Sequence, residues 1–257
     1  MTSSSARPGV LVETSGAVGR ITLDAPERLN AVDPEMCRAV ADAVMAFDAD
    51  PAVRVVALTG AGRGFCSGAP LSADGATTGT LYAGADLVRA LLASRTPVVA
   101  LVNGVAAGIG VPMALACDYV LASESASFVL AFARIGLMPD GAATALVAAS
   151  VGRARAMRLA LTGERLDART AAEWGLVAEC VPAEDFAGRG EQVLSAFAGA
   201  ATLALAETKV AVNAASVDVE AALAREEAGQ LRLMDTEDYR EGVAAFLAKR
   251  PADFTGR

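Results

Sequence analysis

The chain has 257 residues, 22 Lys and Arg against 30 Asp and Glu, and no histidine. A formal charge of −8 argues against a nucleic-acid partner, which needs surplus cations on one face. The missing imidazole excludes Ser-His-Asp and Cys-His catalysis, His-ligated zinc and a histidine base, so any proton transfer falls to carboxylates.

In chain order, residues 1–8 read as a polar, disordered tail. Gly9–Leu23 then reads as a hairpin whose strands are Val10–Glu13 and Val18–Leu23. Asp33 followed by Pro34 is an N-cap with proline at the first helical position, and Met36, Val40, Val44 and Phe47 continue with helical spacing. Val53–Thr59 is a β-branched buried strand that runs into Gly60-Ala-Gly-Arg-Gly-Phe. Leu71–Gly84, rich in Ser, Gly, Thr and Ala, reads as a mobile loop, followed by a helix over Ala85–Ser94 and a strand over Val98–Val102. A second glycine turn, Asn103-Gly-Val-Ala-Ala-Gly-Ile-Gly, leads to a helix around Val111–Ala116 and a strand around Tyr119–Ala122. Strand, turn and helix repeated in this way predict an α/β core with parallel strands. From Ala143 onward the pattern is helical, with one strand near Leu176–Val181. The domain expectation is a core over residues 9–186 and a helical C-terminal region over 187–257.

Cys37, Cys66, Cys117 and Cys180 are widely spaced and form no CxxC pair, so they read as core residues of a reducing compartment, without a metal site. The N-terminal Met-Thr-Ser-Ser-Ser lacks the apolar stretch of a signal peptide, and Pro97–Val102 is too short to span a bilayer. The expectation is a cytoplasmic protein with no membrane partner. Gly60-x-Gly-x-Gly is only a fragment of a dinucleotide fingerprint, no GxxxxGK[ST] is present, and Ser67 lies outside any GxSxG elbow.

Several motifs occur together in a fixed order. Ile21-Thr-Leu-Asp-Ala-Pro-Glu-Arg-Leu-Asn-Ala is followed by Thr59-Gly-Ala-Gly-Arg-Gly-Phe-Cys-Ser-Gly-Ala and by the turn at Asn103. Ala116-Cys-Asp, Ser123-Glu-Ser-Ala-Ser-Phe, Gly136-Leu-Met-Pro-Asp-Gly, Leu161-Thr-Gly-Glu, Trp174-Gly-Leu-Val and Phe246-Leu-Ala-Lys-Arg-Pro come after them. Each is weak alone, but the ordered set resembles the enoyl-CoA hydratase/isomerase (crotonase) superfamily over residues 10–257. The resemblance implies a spiral of ββα units with a C-terminal helical trimerisation region, assembled as a homo-trimer or hexamer. It implies an acyl-CoA thioester as substrate, with coenzyme A as part of that substrate and no separate cofactor.

The family's shared device is a pair of backbone N–H groups that stabilise a thioester enolate; by motif position these belong to Ala69 and Ile109. Preorganised donors of this kind are worth about 3–4 kcal/mol each. The resemblance also assigns Arg28, Leu29, Ser67, Gly68 and Gly108 to the ligand, with Phe246 and Lys249 reaching in from a neighbouring subunit. The two glutamates of the hydratases fall on Pro112 and Phe132, neither of which transfers a proton. Asp140 falls where isomerase-like branches carry a catalytic Asp, and burial beside Phe132 and Leu137 would raise its pKa toward a useful range. The local alternative is that Pro-Asp-Gly is simply a turn. The resemblance therefore points to double-bond isomerisation, with hydration by another route or acyl-CoA binding without turnover as the rivals. Asp118 and Glu124 read as structural, and Met36, Met45, Met113 and Met157 as core.

Overall fold

The structure, a computed structural model, describes residues 3–7, 9–72 and 77–257, with side chains from residue 9 onward. It opens with three antiparallel strands, β1 (Ser3–Arg7), β2 (Val10–Ser15) and β3 (Val18–Leu23). The disordered tail expected from composition is corrected here. Ser3–Arg7 pairs with Val10–Thr14, and that ladder needs backbone groups only, which is why polar composition concealed it.

Helix α1 (Pro34–Ala49) starts as predicted, with the Asp33 carboxylate accepting from the Glu35 and Met36 N–H groups. Next come β4 (Val55–Gly60), the short β5 (Gly64–Cys66) and α2 (Thr78–Ala93). The Leu71–Gly84 loop expectation is also corrected. Residues 73–76 lie outside the described residues, and from Thr78 the segment is helix, capped by the Thr77 hydroxyl accepting from Thr80 N–H. Its small residues pack rather than loosen the chain: Gly84 lies so close to Ile109 that an added Cβ would sit 3.1 Å from Cδ1.

The pattern then repeats with β6 (Val98–Val102), β7 (Val105–Ala107) and α3 (Gly110–Leu115). It repeats again with β8 (Tyr119–Ser123), β9 (Ser127–Val129), a 3-10 turn over Ala131–Ile135 and α4 (Ala143–Thr162). A further turn supplies β10 (Arg165–Asp167), α5 (Ala168–Trp174) and β11 (Glu179–Val181). One seven-stranded sheet has the order β1-β2-β3-β4-β6-β8-β11, and a four-stranded sheet has the order β10-β9-β7-β5. Thus β4, β6 and β8 lie side by side in one sheet while their successors β5, β7 and β9 lie side by side in the other. Each ββα unit adds one strand to each sheet, which is a spiral.

The central strands are buried on both faces, as their unbroken apolar runs require. Val56, Leu58, Val98 and Ala100 face the main core. Val55, Ala57, Val99 and Leu101 face α6 (Phe186–Gly199), meeting its Val193 and Leu194. Helices α7 (Thr202–Ser216), α8 (Val219–Met234) and α9 (Glu237–Leu247) complete the chain. Met36 and Met113 are core residues as expected, but Met45 and Met157 stand 51% and 41% exposed, because their helical spacing places them on the outward faces. Among the described residues no single helix is long and apolar enough to cross a membrane.

Candidate active site

Because β5, β7 and β9 are adjacent and parallel, the segments leaving their C-terminal ends arrive at one edge. Those segments carry Ser67–Ala69, Gly108–Ile109 and Phe132. Gly108 N–H donates to Val129 O at 3.0 Å, tying the second segment to the third. Gly68, at φ 102, lies close against the second; a Cβ there would stand 3.2 Å from Ala107 O and 3.7 Å from Gly108 Cα. The Phe132 ring lies on the other side, its Cζ 3.9 Å from a Cβ built on Gly108. Side chains at 68 or 108 would fill the place where these backbones meet.

Ala69 and Ile109 each keep a backbone donor after the hydrogen bonds around this edge are traced. Gly68 O accepts from Val32 N–H, and Ile109 O accepts from Met113 N–H at 3.0 Å. The N–H groups of Ala69 and Ile109 donate to no acceptor among the described residues. Ala69 is half-buried and Ile109 is only 7% exposed. Free donors in a partly desolvated place favour negative charge on an incoming oxygen. Helix α3, which follows Ile109, has only six residues, so the N–H itself matters here more than a long helix dipole.

Arg28 and Leu29 flank the first segment. Ser67 N–H donates to Leu29 O and Ser67 Oγ to Arg28 O, both at 3.0 Å. Arg28 is exposed and pairs with Asp33 at 3.2 Å. The anchor of this corner is Asn30, whose role no local sequence pattern marks. It is fully buried at φ 56; its Oδ1 accepts from Ala25 N–H, and its Nδ2 donates to Ala61 O and Gly64 O. Asn tolerates this left-handed backbone better than most residues, because its short polar side chain bonds locally.

Asp140 lies on the turn between the 3-10 helix and α4. Gly141, at φ 65, packs on the Ile109 segment so tightly that an added Cβ would lie 2.4 Å from Ile109 Cδ1 and 3.2 Å from Pro112 Cγ. Leu137 is buried, and its N–H donates to Phe132 O at 3.0 Å, joining this turn to the third segment. Pro112 and Phe132 are both buried, and neither has a group that titrates. The Asp140 carboxyl is half-buried, and loss of hydration pushes it up to about 7. A hydrogen bond from Gln230 pulls it down, and the nearby Glu226 charge pushes it up.

Both partners come from α8, and both escaped the sequence reading. Glu226 is 1% exposed and accepts from Ala142 N–H at 2.6 Å, Thr144 N–H at 2.9 Å and Thr144 Oγ at 2.5 Å. Helix α4 begins after Ala142, whose side chain cannot cap, so Glu226 supplies the cap from another helix. Burial raises its pKa, and these three donors oppose the rise. Gln230 Nε2 donates to Asp140 Oδ2 at 3.0 Å. In the sequence Glu226 sits between Arg225 and Glu227, and no local pattern marks the middle residue as the buried one.

Other expected residues divide clearly. Asp118 is structural: it accepts from Val98 N–H at 2.7 Å and pairs with buried Lys209 at 2.9 Å. Glu124 pairs with Arg169. Phe246 is 59% exposed at the end of α9, and Lys249 follows it at φ 51. Neither is joined by a hydrogen bond or ion pair to Arg28, Ser67 or Asp140 of the same chain.

The likenesses to known proteins agree with this architecture. A family model described as enoyl-CoA hydratase/isomerase matches residues 13–257. The chain belongs to the enoyl-CoA hydratase/isomerase family. It is 40% identical to the 1,2-epoxyphenylacetyl-CoA isomerase of Escherichia coli K12, over 96% of this chain and 98% of that one. It is 42% identical to a probable enoyl-CoA hydratase of Rhodobacter capsulatus, over 95% and 97%. A crystal structure of an enoyl-CoA hydratase from Mycobacterium avium subsp. paratuberculosis superposes with a TM-score of 0.91 at 46% identity, covering 96% of this chain and 98% of that one. The chain is thus an acyl-CoA enzyme of the crotonase fold, and its relatives carry both isomerase and hydratase names.

Proposed function

We propose that this enzyme isomerises an unsaturated acyl-CoA, with the Ala69 and Ile109 amides receiving the thioester oxygen and Asp140 moving the proton. The observation that carries this reading is the half-buried Asp140 carboxyl, raised to about 7 and followed directly by the residue that packs on Ile109. A base that must take a proton and return it works best with a pKa near the working pH. In a 3-enoyl-CoA the C2–H bond breaks, its proton passes to Asp140, and the electron pair spreads into the thioester as an enolate. The proton then returns at C4, leaving the double bond between C2 and C3. One carboxylate serves both halves, and the amides stabilise the charge between them.

Hydration is the second reading, favoured by the names of several relatives. It needs groups that position and deprotonate a water. Pro112 and Phe132, at the positions the resemblance assigns to that task, offer neither acid nor base. In the proposed complex Arg28, Leu29, Ser67, Gly68 and Gly108 line the path of the coenzyme A moiety, and Pro112, Phe132 and Leu137 line the acyl end. Coenzyme A enters as part of the substrate. A homo-trimer or hexamer would bring Phe246 and Lys249 of one subunit to the site of the next, in a cytoplasmic setting.

Purified protein offered trans-3-enoyl-CoA and trans-2-enoyl-CoA thioesters of several lengths tests this. The expected result is isomerisation of the 3-enoyl substrates, lowered on the order of 10²–10⁴-fold in Asp140→Asn with coenzyme A ester binding retained. Hydration of the 2-enoyl substrates that is indifferent to Asp140→Asn would sink the reading. Tight binding without conversion of any thioester would mark a binder instead.

A further inference from the structure

We propose that Gln230 is the positioning residue of the base: its amide fixes Oδ2 of Asp140 and leaves Oδ1 to meet the substrate proton. The inference rests on the isomerase reading above and extends it to a helix of the C-terminal region.

Three residues on one face of α8 are built around the turn that carries Asp140. Glu226, Gly229 and Gln230 stand at i, i+3 and i+4, the spacing that shares a helix face. Glu226 secures the backbone at Ala142 and Thr144. Gly229 admits the helix to Met138, whose Sδ lies 2.0 Å from where a Cβ would stand. Gln230, 1% exposed, reaches the carboxylate itself, with Nε2 3.0 Å from Oδ2.

Packing alone does not account for an amide at this place. Gln230 Oε1 is buried and has no hydrogen-bond partner among the described residues. A methionine or leucine would fill the same volume without stranding an acceptor, and stranding one is costly. The chemistry gives both ends of the amide a use. Asp140 must be a carboxylate to take the proton and an acid to return it. Nε2–H serves the carboxylate, and the same amide turned about its last torsion presents Oε1 to the O–H of the acid.

Among the described residues the other titratable groups facing Asp140 are Glu226 on α8 and Cys37 on α1. Burial pushes the Cys37 thiol up to about 12, so it stays neutral. No Lys or Arg among the described residues forms an ion pair with Asp140. The Gln230 side chain is therefore the group that favours the carboxylate from outside the Asp140 turn.

The test compares Gln230→Met and Gln230→Glu with Asp140→Asn in the full-length enzyme, following 3-enoyl-CoA isomerisation from pH 5.5 to 9. Gln230→Met is expected to lower kcat by about tenfold with KM changed less than about twofold. It should also move the acidic limb of the kcat profile up by about one pH unit, because the carboxylate has lost a charge-assisted donor. Gln230→Glu, of the same size, should move the limb further, since two adjoining carboxyls resist double ionisation. A purely structural role would lower the melting temperature and leave the limb in place. If Gln230→Met does not fold, the isosteric glutamate variant decides alone. An unmoved limb in both variants, with Asp140→Asn inactive, overturns the Gln230 inference and leaves the isomerase reading intact. An active Asp140→Asn overturns both.

Discussion

Asp140 carries a stability cost whose sign follows from linkage. Its folded pKa of about 7 lies above the ordinary aspartate value, so the native state holds the proton more tightly than the unfolded chain does. This group's contribution is therefore most favourable below pH 4, declines as pH rises toward 7, and is fully adverse above that. Asp140→Asn, expected to lower turnover steeply, should consequently raise the melting temperature at pH 8, by about 2–4 °C for each kcal/mol recovered. The gain should shrink as the pH is lowered toward 4, and thermal unfolding followed at pH 4, 6 and 8 checks it. A variant that loses both activity and stability at pH 8 would show that the carboxylate is held favourably there. The turn signature Pro-Asp-Gly was legible in the sequence. The burial that raises the carboxyl was expected beside Phe132 and Leu137, but Glu226 and Gln230, which push it up and pull it down from a distant helix, were not legible.

At the scale of elements, α4 shows how a helix can lack its own cap. Its N-cap is Ala142 at φ 62, and the carboxylate that satisfies its first N–H groups belongs to α8. Glu226→Ala leaves two backbone donors and the Thr144 hydroxyl without their acceptor, at a cost of about 3 kcal/mol. Urea unfolding should show a lower midpoint with an unchanged slope. Thr144→Val, which removes only the hydroxyl, should cost less than half as much. Elements with a local signal were legible: Asp33-Pro34 at the start of α1, and the β-branched runs of β4 and β6. The second half of α2, from Ala85 on, was legible, but its first turns were hidden because they contain Gly79 and Gly84, residues with low helix propensity. There the packing of Leu81, Leu87, Val88 and Leu91 outweighs the local preference. The three-residue strands β5, β7, β9 and β10 were hidden for another reason: they are too short to show a period of two.

Across the whole molecule, a largely buried ion pair ties α7 to the large sheet. Lys209 on α7, its side chain only 5% exposed, donates to Leu91 O at 2.8 Å and pairs with Asp118 at the start of β8. Asp118 also receives Val98 N–H from β6, so one carboxylate joins two strands and a helix. Lys209→Met strands that carboxylate in a buried place, and a loss of about 3–5 kcal/mol is expected by equilibrium unfolding. Adding Asp118→Asn should recover part of the loss, because the uncompensated charge is then gone. A single variant indistinguishable from the parent would show the pair to be incidental to the docking of α7.

The sequence by itself excluded histidine-dependent chemistry and carried the family resemblance. With no histidine, proton transfer rests on carboxylates, and the ordered glycine motifs resemble one superfamily along almost the whole chain. It also determined the parallel α/β core, since buried apolar runs followed by glycine turns have few other stable arrangements. Only the tertiary structure decided what surrounds the candidate site residues. The segments carrying Ala69 and Ile109 meet because β5 and β7 are neighbours in a sheet whose strands are too short to read. Asp140 meets Gln230, and its turn meets Glu226, because α8 folds back over that turn. Local pattern records the period of a helix or strand. Which face of α8 meets which turn is a contact between distant segments, and it leaves no periodic trace in the sequence.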